Sequence, residues 1–244
     1  MVTKRTVAAG NGPKPAPARR RVPANASKEG RGGSTAKKNP VRPYHHGNLR
    51  EELIRLGKAR LQEQDDADLS LRRVAADAGV SQVAPKHHFG NKDGLLAAIA
   101  ASGFRDLTEF RFSRLKPHMN AEQRLRVLLS SYVVFATLNP ALFRLMFAPQ
   151  FQTTGAYTEL DEAASQSFHM LARASAEFLK DKRKDGGAPA ISAEDVARHG
   201  WTCMHGLATL MIQNRINPVG ASRYTREQFM NRTLDLVFAG IQAS

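Results

Sequence analysis

The stretch from Ser70 to Asp93, SLRRVAADAGVSQVAPKHHFGNKD, has the pattern of two short helices joined by a tight turn. Ser70 can cap the first helix, because its side-chain oxygen can accept a hydrogen bond from a backbone N–H of the opening turn. Gly79 is expected to end that helix, since glycine adopts the left-handed conformation at little cost. Ser81 is a second candidate N-cap and opens a short helix from Gln82 to His88. This is the layout of a helix-turn-helix, whose second helix enters the major groove of DNA.

The pattern by itself leaves two interpretations open, because a helix, a glycine turn and a second helix also occur in ordinary helical bundles. The residues that follow favour contact with DNA. Asn91 can cap the next helix and places Lys92 in its first turn. Because a helix N-terminus presents free N–H groups and partial positive charge, a lysine at this position suits a DNA phosphate.

The segment GVSQVAPKHHFGNKDGLL (Gly79 to Leu96) resembles the end of the helix-turn-helix of TetR-family transcriptional regulators. The likeness continues back through PYHHGNLREELI (Pro43 to Ile54) and forward into the C-terminal half. By resemblance, four side chains face base edges, one reaches a base or a phosphate, and two lie near phosphate. These are Gln82, Val83, Ala84 and His87 for the bases, Arg72 for either, and His88 and Lys92 for phosphate.

Two residues of this segment qualify the resemblance. Lys86 stands where most family members have a tyrosine that packs on the sugar-phosphate backbone, so a phosphate contact is kept but the stacking surface is lost. Pro85 is expected at the fourth helical position, where it removes the bond to the Ser81 carbonyl at small cost so near the helix start. For His87 and His88 the alternative is an ordinary packed or solvated side chain.

Charge is distributed unevenly along the chain. The 244 residues have a formal net charge of +14, and residues 1–43 contain eleven Lys and Arg against one acidic residue. Residues 1–43 contain no Leu, Ile, Phe or Trp, so they cannot bury enough apolar surface to offset the entropy of ordering, and we predict a disordered basic extension. It is either an arm that attracts phosphates or a solubilising extension. Residues 44–93 have eight basic and eight acidic residues, so their attraction to DNA depends on where the charges lie.

The remaining periodicity predicts an all-α chain. Residues 44–93 form a three-helix head that contains the helix-turn-helix and begins with a helix from Gly47 to Gln64. Residues 94–244 form a larger helical bundle, and no alternating strand pattern occurs in them. The predicted helices from the end of the head onward are Asn91–Lys116, Ala121–Leu138, a short helix from Pro140, Tyr157–Lys182, Ser192–Ile216 and Thr225–Ile241.

Two further motifs, NPALFRLMFAP (Asn139 to Pro149) and WTCMHGLATL (Trp201 to Leu210), resemble the C-terminal domain of a TetR subgroup named for a Trp-His-Gly pattern. The resemblance implies an effector pocket in residues 94–244 and a homodimer interface built by the last two long helices. The candidate pocket residues are Phe143, Met146, Phe147, Phe168, Met170, Trp201 and His205. The alternative for each Met and Phe is plain core packing, and His205 bonds either a buried carbonyl or a polar group of a ligand.

Other classes of protein find little support in the sequence. His199 and Cys203 lie four residues apart on a helix, but no third orienting residue accompanies them, so we predict no catalytic residues. The histidine pairs at 45–46 and 87–88 lack complementary cysteine or carboxylate ligands, so we expect no metal site and no cofactor. A single cysteine fits a reducing compartment. No membrane-spanning run or secretory signal is recognisable, so we expect a cytoplasmic protein without a membrane partner.

Together these features predict a sequence-specific, DNA-binding transcriptional regulator, more specifically a repressor released from a palindromic operator by a small-molecule effector. The predicted partners are a double-stranded DNA operator, a second copy of the chain and that effector. Two alternatives remain: a helical binding protein that does not read an operator, and a nucleoid-associated protein with little preference among DNA sequences.

Overall fold

The computed structural model describes residues 48–63, 69–151, 155–184, 191–216 and 224–242. The extension predicted to be disordered, residues 1–43, lies outside the described residues, and so do His45 and His46. Within the described residues the chain consists of helices and the turns between them, without a strand, which confirms the predicted all-α fold.

Nine α-helices occur in the described part of the chain. They are α1 (Leu49–Glu63), α2 (Leu71–Asp77), α3 (Ala84–Phe89), α4 (Lys92–Phe112), α5 (Ala121–Leu138), α6 (Pro140–Met146), α7 (Thr158–Lys184), α8 (Ala193–Ile212) and α9 (Arg226–Gln242). A short 3₁₀ turn, Pro149–Phe151, follows α6. None of these helices is by itself long and apolar enough to cross a membrane. Only α5 taken together with Pro140–Phe151 reaches that length and apolarity, and this pair is bent by 112°.

Helices α1, α2 and α3 form the head and pack against each other, and α1 and α3 also pack against α4. Leu53 of α1 and Val74 of α2 are fully buried between them. The predicted N-cap of α2 is present, because Ser70 Oγ accepts a hydrogen bond from the Arg73 N–H at 3.3 Å. Gly79 has a φ of +66°, the left-handed conformation that ends α2 and turns the chain toward α3.

The start of α3 differs from the prediction. This helix begins at Ala84, and residues 81–83 form a turn in which the Ala84 N–H donates to the Ser81 carbonyl at 3.1 Å. Val83, rather than Ser81, occupies the N-cap position, and its side chain makes no capping hydrogen bond. Pro85 lies at the second helical position, where no backbone N–H is required and its fixed φ suits the first turn. The expected loss of a helical hydrogen bond at Pro85 therefore does not arise.

Helix α4 joins the head to the rest of the fold. It begins as predicted, because Asn91 Oδ1 accepts a hydrogen bond from the Gly94 N–H at 2.8 Å. It ends at Phe112 rather than at Lys116, and the chain then turns before Pro117. Because it contacts α1, α5, α6 and α7, α4 is the central helix of the fold.

Helices α5 to α9 complete the bundle around α4. A capping box of Asn120 and Gln123 opens α5, and Ser192 caps α8 by accepting a hydrogen bond from the Asp195 N–H at 3.1 Å. Helices α5, α7 and α8 pack on one another, and α9 packs on α5 and α8. The interior that α4, α5, α7 and α8 enclose contains one of the two candidate sites.

Candidate functional site

The first candidate site is the outer face of α2 and α3 with the start of α4, which we call the reading surface. It consists of the residues named from the sequence: Arg72, Gln82, Val83, Ala84, Lys86, His87, His88 and Lys92. All are exposed except Ala84 and Lys92, which are partly exposed. Val83 has 56% of its surface exposed although it is apolar. An apolar side chain held in solvent there can contact the methyl group of a thymine in the major groove.

Two packed residues fix the orientation of α3. Pro85 is buried, and Phe89 packs against the core, with the guanidinium of Arg50 lying 5.5 Å from the centre of its ring. Because α3 is short, these two anchors determine which side of the helix faces solvent. Lys86, His87 and His88 are all exposed as a result.

The acidic residues of the head are partly offset by arginines of α1. Asp77 forms an ion pair with Arg60, and Glu52 pairs with Arg55 at 2.6 Å. The hydrogen bond from Arg60 holds the pKa of Asp77 below its usual value, so this carboxylate stays ionised and is compensated locally. The reading surface itself contains Arg72, Lys86 and Lys92 and no acidic residue, and Asp93 is an acidic neighbour. A surface of this charge suits a phosphate backbone.

The second candidate site is a cavity of about 320 Å³ between α4, α5, α7 and α8, which we call the Arg111 cavity. Its polar lining residues are Arg111, Tyr132, Ser165 and Ser167, and its other lining residues are Phe104, Leu107, Phe147, Ala164, Phe168, Leu171 and Trp201. Small-molecule sites usually have volumes of about 300 to 1,000 Å³, an apolar lining and a few placed polar groups. The Arg111 cavity has this character, at the small end of the range.

Arg111 is a buried charge, with only 3% of its surface exposed. Its Nε donates to the Leu128 carbonyl at 3.2 Å, and its Nη1 donates to the carbonyl and hydroxyl oxygens of Ser167 at 3.3 and 3.1 Å. Burial lowers the pKa of Arg111 to about 10, against an opposing effect of Tyr132, so the guanidinium remains protonated at neutral pH. Among the described residues no carboxylate pairs with it.

Tyr132 connects the Arg111 cavity to His205. Trp201 Nε1 donates to the Tyr132 hydroxyl at 3.2 Å, and this hydroxyl lies 2.7 Å from His205 Nδ1. Because an indole N–H can only donate, the hydroxyl accepts from Trp201 and donates its own proton to Nδ1. This assignment places the hydrogen of neutral His205 on Nε2. Burial lowers the pKa of His205, which favours the neutral form.

A second opening, of about 510 Å³, lies beside α6 and α8 and reaches Leu61 at the end of α1. We call it the α6–α8 groove. It is larger than the Arg111 cavity, but its lining includes Arg144, Gln150 and Gln213, which are exposed to solvent. The Arg111 cavity is the more enclosed of the two by this criterion, because its charged lining residue is buried.

The ligand-binding candidates named from the sequence divide between these places. Phe147, Phe168 and Trp201 line the Arg111 cavity, and Phe143, Phe147 and His205 line the α6–α8 groove. Met146 and Met170 line neither of them, and both are buried. Met146 packs on Gly103 of α4, with its Sδ 2.9 Å from the point that a β-carbon there would occupy. The structure thus gives Met146 a core-packing position.

The sequence pattern did not identify Arg111, Tyr132 or Ser167 as candidates. A signal for Arg111 was present, because it follows Leu107 by four residues and Phe104 by seven and so shares their face of α4. A charged residue on an apolar helix face is unusual, since arginine is rarely buried without a partner. Ser167 has no comparable signal, because its contact with Arg111 joins positions 56 residues apart.

The outward sides of α8 and α9 carry apolar and small side chains, and together we call them the α8–α9 face. Its residues, spaced three or four apart, are Cys203, Gly206 and Leu210 on α8 and Phe229, Thr233, Leu236 and Gly240 on α9. Leu210 is 43% exposed and Leu236 is 74% exposed. A contiguous apolar patch on a protein surface often marks a site of protein contact.

The described residues contain no group of three or more His, Cys, Asp or Glu side chains placed to hold a metal ion. Cys203 Sγ lies 3.9 Å from His199 Nε2, and burial raises the pKa of the Cys203 thiol. A raised pKa disfavours the thiolate, which is the nucleophilic form of cysteine. This pair therefore lacks the character of an activated thiol.

Residues 125–237, from α5 into α9, match the family described as "Tetracyclin repressor-like, C-terminal domain". The helix-turn-helix head precedes this domain, and solved structures of TetR-family proteins share the whole arrangement. The chain therefore resembles TetR-family regulators in its C-terminal domain and in its fold. Its fold is that of a TetR-family transcriptional regulator, and the family consists of regulators rather than enzymes.

Three solved structures illustrate the likeness. A protein with unknown function from Rhodococcus sp. RHA1 is 29% identical with a TM-score of 0.67, over 83% of this chain and 100% of that one. A regulatory protein in the tetR family from Rhodococcus RHA1 is 15% identical with a TM-score of 0.56, over 78% and 95%. The transcriptional regulator FadR from Bacillus subtilis, in complex with stearoyl-CoA, is 14% identical with a TM-score of 0.56, over 79% and 99%. Among curated proteins, no sequence matches this chain.

Proposed function

We propose that this protein is a homodimeric transcriptional repressor that reads a palindromic operator with its reading surface and releases it when a small molecule binds in the bundle. The observation that carries the proposal is the exposed, basic face of α2 and α3, on which the apolar Val83 is held in solvent. We assign residues 44–93 to DNA binding and residues 94–244 to effector binding and dimerisation.

The contacts on the reading surface have two tasks, because base contacts specify a sequence whereas phosphate contacts position the protein. We assign base contacts to Gln82, Val83, Ala84 and His87, phosphate contacts to Lys86, His88 and Lys92, and either kind to Arg72. Lys92 is supported by its place in the first turn of α4, where free N–H groups and the helix dipole add to its charge.

Selection from random duplex DNA tests this proposal, with the full chain and with a form that begins at Arg42, at near-physiological salt. We expect both forms to enrich the same inverted repeat and to bind it at least about a thousandfold more tightly than unrelated DNA. If no sequence is enriched and the affinity disappears with residues 1–41, the attraction belongs to the basic extension and the reading surface has no such role.

The alternative is a helical protein, nucleoid-associated or otherwise, that does not read an operator. Lys86 in place of the usual tyrosine is the observation that favours it. Salt dependence separates the two, because each phosphate contact adds about 0.9 to the slope of log affinity against log salt on duplex DNA. An operator reader keeps a steep slope without residues 1–41, and a protein that relies on its extension does not.

We place the second copy of the chain on the α8–α9 face. Leu236 and Leu210 would lose most of their exposed surface in a two-fold pairing of these helices. Gly206 would allow close approach, because apart from its chain neighbours and the adjacent backbone of α8 no described atom lies within 4 Å of a β-carbon placed there. Leu236→Glu should therefore give a monomer in sedimentation velocity. Leu138→Glu is a matched control, because Leu138 is also exposed, at 63%, but lies at the end of α5. A dimeric Leu236→Glu variant would exclude this face.

Ion pairs between the head and the bundle support a route for the effector signal. Arg50 of α1 and Arg105 of α4 share Glu159 at the start of α7, and Lys58 of α1 pairs with Asp106 of α4. Each of these partly exposed pairs contributes little free energy, but together they join α1 to α4 and α7, so a shift of either helix can reposition the head. A ligand between α4 and α7 would then favour a spacing of the two heads that no longer fits the operator. A ligand that binds the DNA-bound and free forms equally well would refute this mechanism.

A further inference from the structure

The Arg111 cavity presents two hydrogen-bond donors that the described part of the protein does not use. Arg111 donates through Nε and Nη1, but no acceptor among the described residues faces Nη2. Ser167 Oγ accepts a hydrogen bond from Nη1 at 3.1 Å, and no acceptor among the described residues takes the hydrogen of this hydroxyl. Both residues are only 3% exposed. Because buried polar groups are nearly always hydrogen-bonded, two adjacent buried donors of this kind mark a place that suits an acceptor.

The acceptor that fits best carries a negative charge. A buried guanidinium is costly unless an anion accompanies it, and no carboxylate of the described residues pairs with Arg111. The nearest aromatic partner, Tyr132, lies with its ring centre 5.3 Å from the guanidinium, and its hydroxyl is already engaged by Trp201 and His205. An anion in the cavity would therefore meet Arg111 and Ser167 first.

We propose that the Arg111 cavity binds a small organic carboxylate, with its two oxygens on Arg111 Nη2 and Ser167 Oγ and its apolar body against Phe104, Leu107, Phe168 and Trp201. The proposal names the chemical class of the effector and rests on the function proposed above. A planar carboxylate matches two adjacent donors, whereas a phosphate dianion needs more donors than Arg111 and Ser167 supply. The volume of about 320 Å³ limits the body to one ring or a short chain.

The single tryptophan of the chain makes the cavity observable without DNA. Trp201 lines it, so fluorescence of this residue reports on occupancy. The probes are octanoate, 3-phenylpropionate and cyclohexylacetate, each beside its primary amide, titrated into the full chain at neutral pH, with stoichiometry from calorimetry. We expect at least one acid to saturate the signal at one molecule per chain, and its amide to bind at least about 30-fold more weakly. Equal binding of acids and amides, or no saturation by any acid, would overturn the proposal.

Three variants locate the carboxylate. Arg111→Met should weaken binding of the acid by about 30- to 1,000-fold, because it removes the buried charge partner, and should leave the amide little changed. Arg114→Met is the matched control, since Arg114 is an exposed arginine three residues further on and does not line the cavity. Ser167→Ala should weaken binding of the acid by about 10- to 150-fold, the loss of one hydrogen bond to a charged group. Should Arg111→Met fail to fold, Ser167→Ala with the acid and amide pair decides the matter. If a folded Arg111→Met protein binds the acid with unchanged affinity, the ligand lies elsewhere. If Arg111→Met does not fold, unchanged affinity of Ser167→Ala for the acid leads to the same conclusion.

Operator binding, measured in parallel with each probe, separates this inference from the proposed function. An acid that binds through Arg111 but leaves operator affinity unchanged would establish the site and refute its effector role. A protein that selects an operator but binds no acid in the cavity would refute this site and leave the reading surface intact.

Discussion

The reading surface and the Arg111 cavity are built from the chain in different ways. The reading surface lies within one continuous segment, from Arg72 to Lys92, and its side chains are exposed or partly exposed. The Arg111 cavity collects side chains from α4, α5, α7 and α8 and from the turn after α6. A surface that meets a large polyanion needs exposure and placed charges, which a single helix-turn-helix supplies. An enclosed site for a small molecule needs several elements around it, so distant parts of the chain must pack before it exists.

The substitution expected to separate the reading surface from the Arg111 cavity most strongly is at Gly94, where the head meets α4. A β-carbon at this position would lie 2.0 Å from the Phe89 carbonyl oxygen, a backbone atom that cannot move aside cheaply. Gly94→Ala should therefore lower the free energy of unfolding by about 3 kcal/mol, the upper part of the range for overpacking, and displace α3. Operator binding should be lost, whereas ligand binding in the Arg111 cavity should persist.

Asp93→Ala is the control for Gly94→Ala, because Asp93 is exposed in the same turn of α4. It should cost less than about 1 kcal/mol, the usual value of an acidic residue near a helix N-terminus. Chemical denaturation gives both free energies, and fluorescence of Trp201 with a bound ligand gives the state of the cavity. If Gly94→Ala binds the operator normally, the backbone at this junction shifts enough to accommodate the added β-carbon, and DNA binding does not depend on the close approach of Gly94 to Phe89.

The same contrast explains what the sequence could and could not predict. Ser70, Gly79 and Asn91 act through bonds to residues close in the chain, so the head and its caps followed from local patterns. The start of α3 is later than Ser81 predicts as a cap, because Pro85 prefers the first turn of a helix. Tertiary packing decides what local patterns leave open.

In the bundle, the helices followed from periodicity, but the side chains that face one another did not. The face shared by Leu107 and Arg111 can be read from their spacing, whereas the meeting of Arg111 with Ser167 depends on how α4 and α7 pack. Met146 and Phe147 are neighbours in sequence and both apolar, yet one is packed in the core and the other lines the cavity. Periodicity gives a face, and only the packed structure divides that face into core and cavity.

Within the reading surface, Gln82→Ala sharpens the distinction between reading and positioning. We expect a loss of about 1–3 kcal/mol on the operator, little change on unrelated DNA and relaxed specificity at one base position, because a base contact is removed. Lys86→Ala is the comparison, and it should weaken binding to all sequences and reduce the salt slope by about one. Competition binding on single-base variants of the operator measures both. Uniform weakening by Gln82→Ala would reassign this residue to the phosphates.

Within the cavity, Arg111→Met tests whether the buried charge of Arg111 lowers the free energy of unfolding. The variant removes a buried cation that has no described carboxylate partner and replaces it with an apolar side chain. Burying a charge without an ionic partner costs desolvation free energy that nothing repays, so we expect the free energy of unfolding without ligand to rise by about 1 kcal/mol when this charge is removed. Thermal or chemical denaturation measures the change, with Arg114→Met as the exposed control. A clear loss of stability would instead show that Arg111 serves to tie α4 to α5 and α7 through Leu128 and Ser167.

The smallest effect concerns pH and His205, next to the cavity. Burial lowers the pKa of His205 from its ordinary value of 6.5, so below that pH the unfolded chain takes up a proton before the folded one does. Because stability rises with pH wherever the unfolded state binds more protons, this contribution is complete above about 6.5 and is lost as the pH falls below it. Protonation also places a hydrogen on Nδ1, which removes the acceptor for the Tyr132 hydroxyl. The stability of the protein measured between neutral and mildly acidic pH should therefore fall more steeply than that of His205→Asn, which cannot titrate. Parallel profiles would mean that His205 is protonated as readily in the folded protein as in the unfolded chain, and that the hydrogen bond from Tyr132 does not hold it neutral.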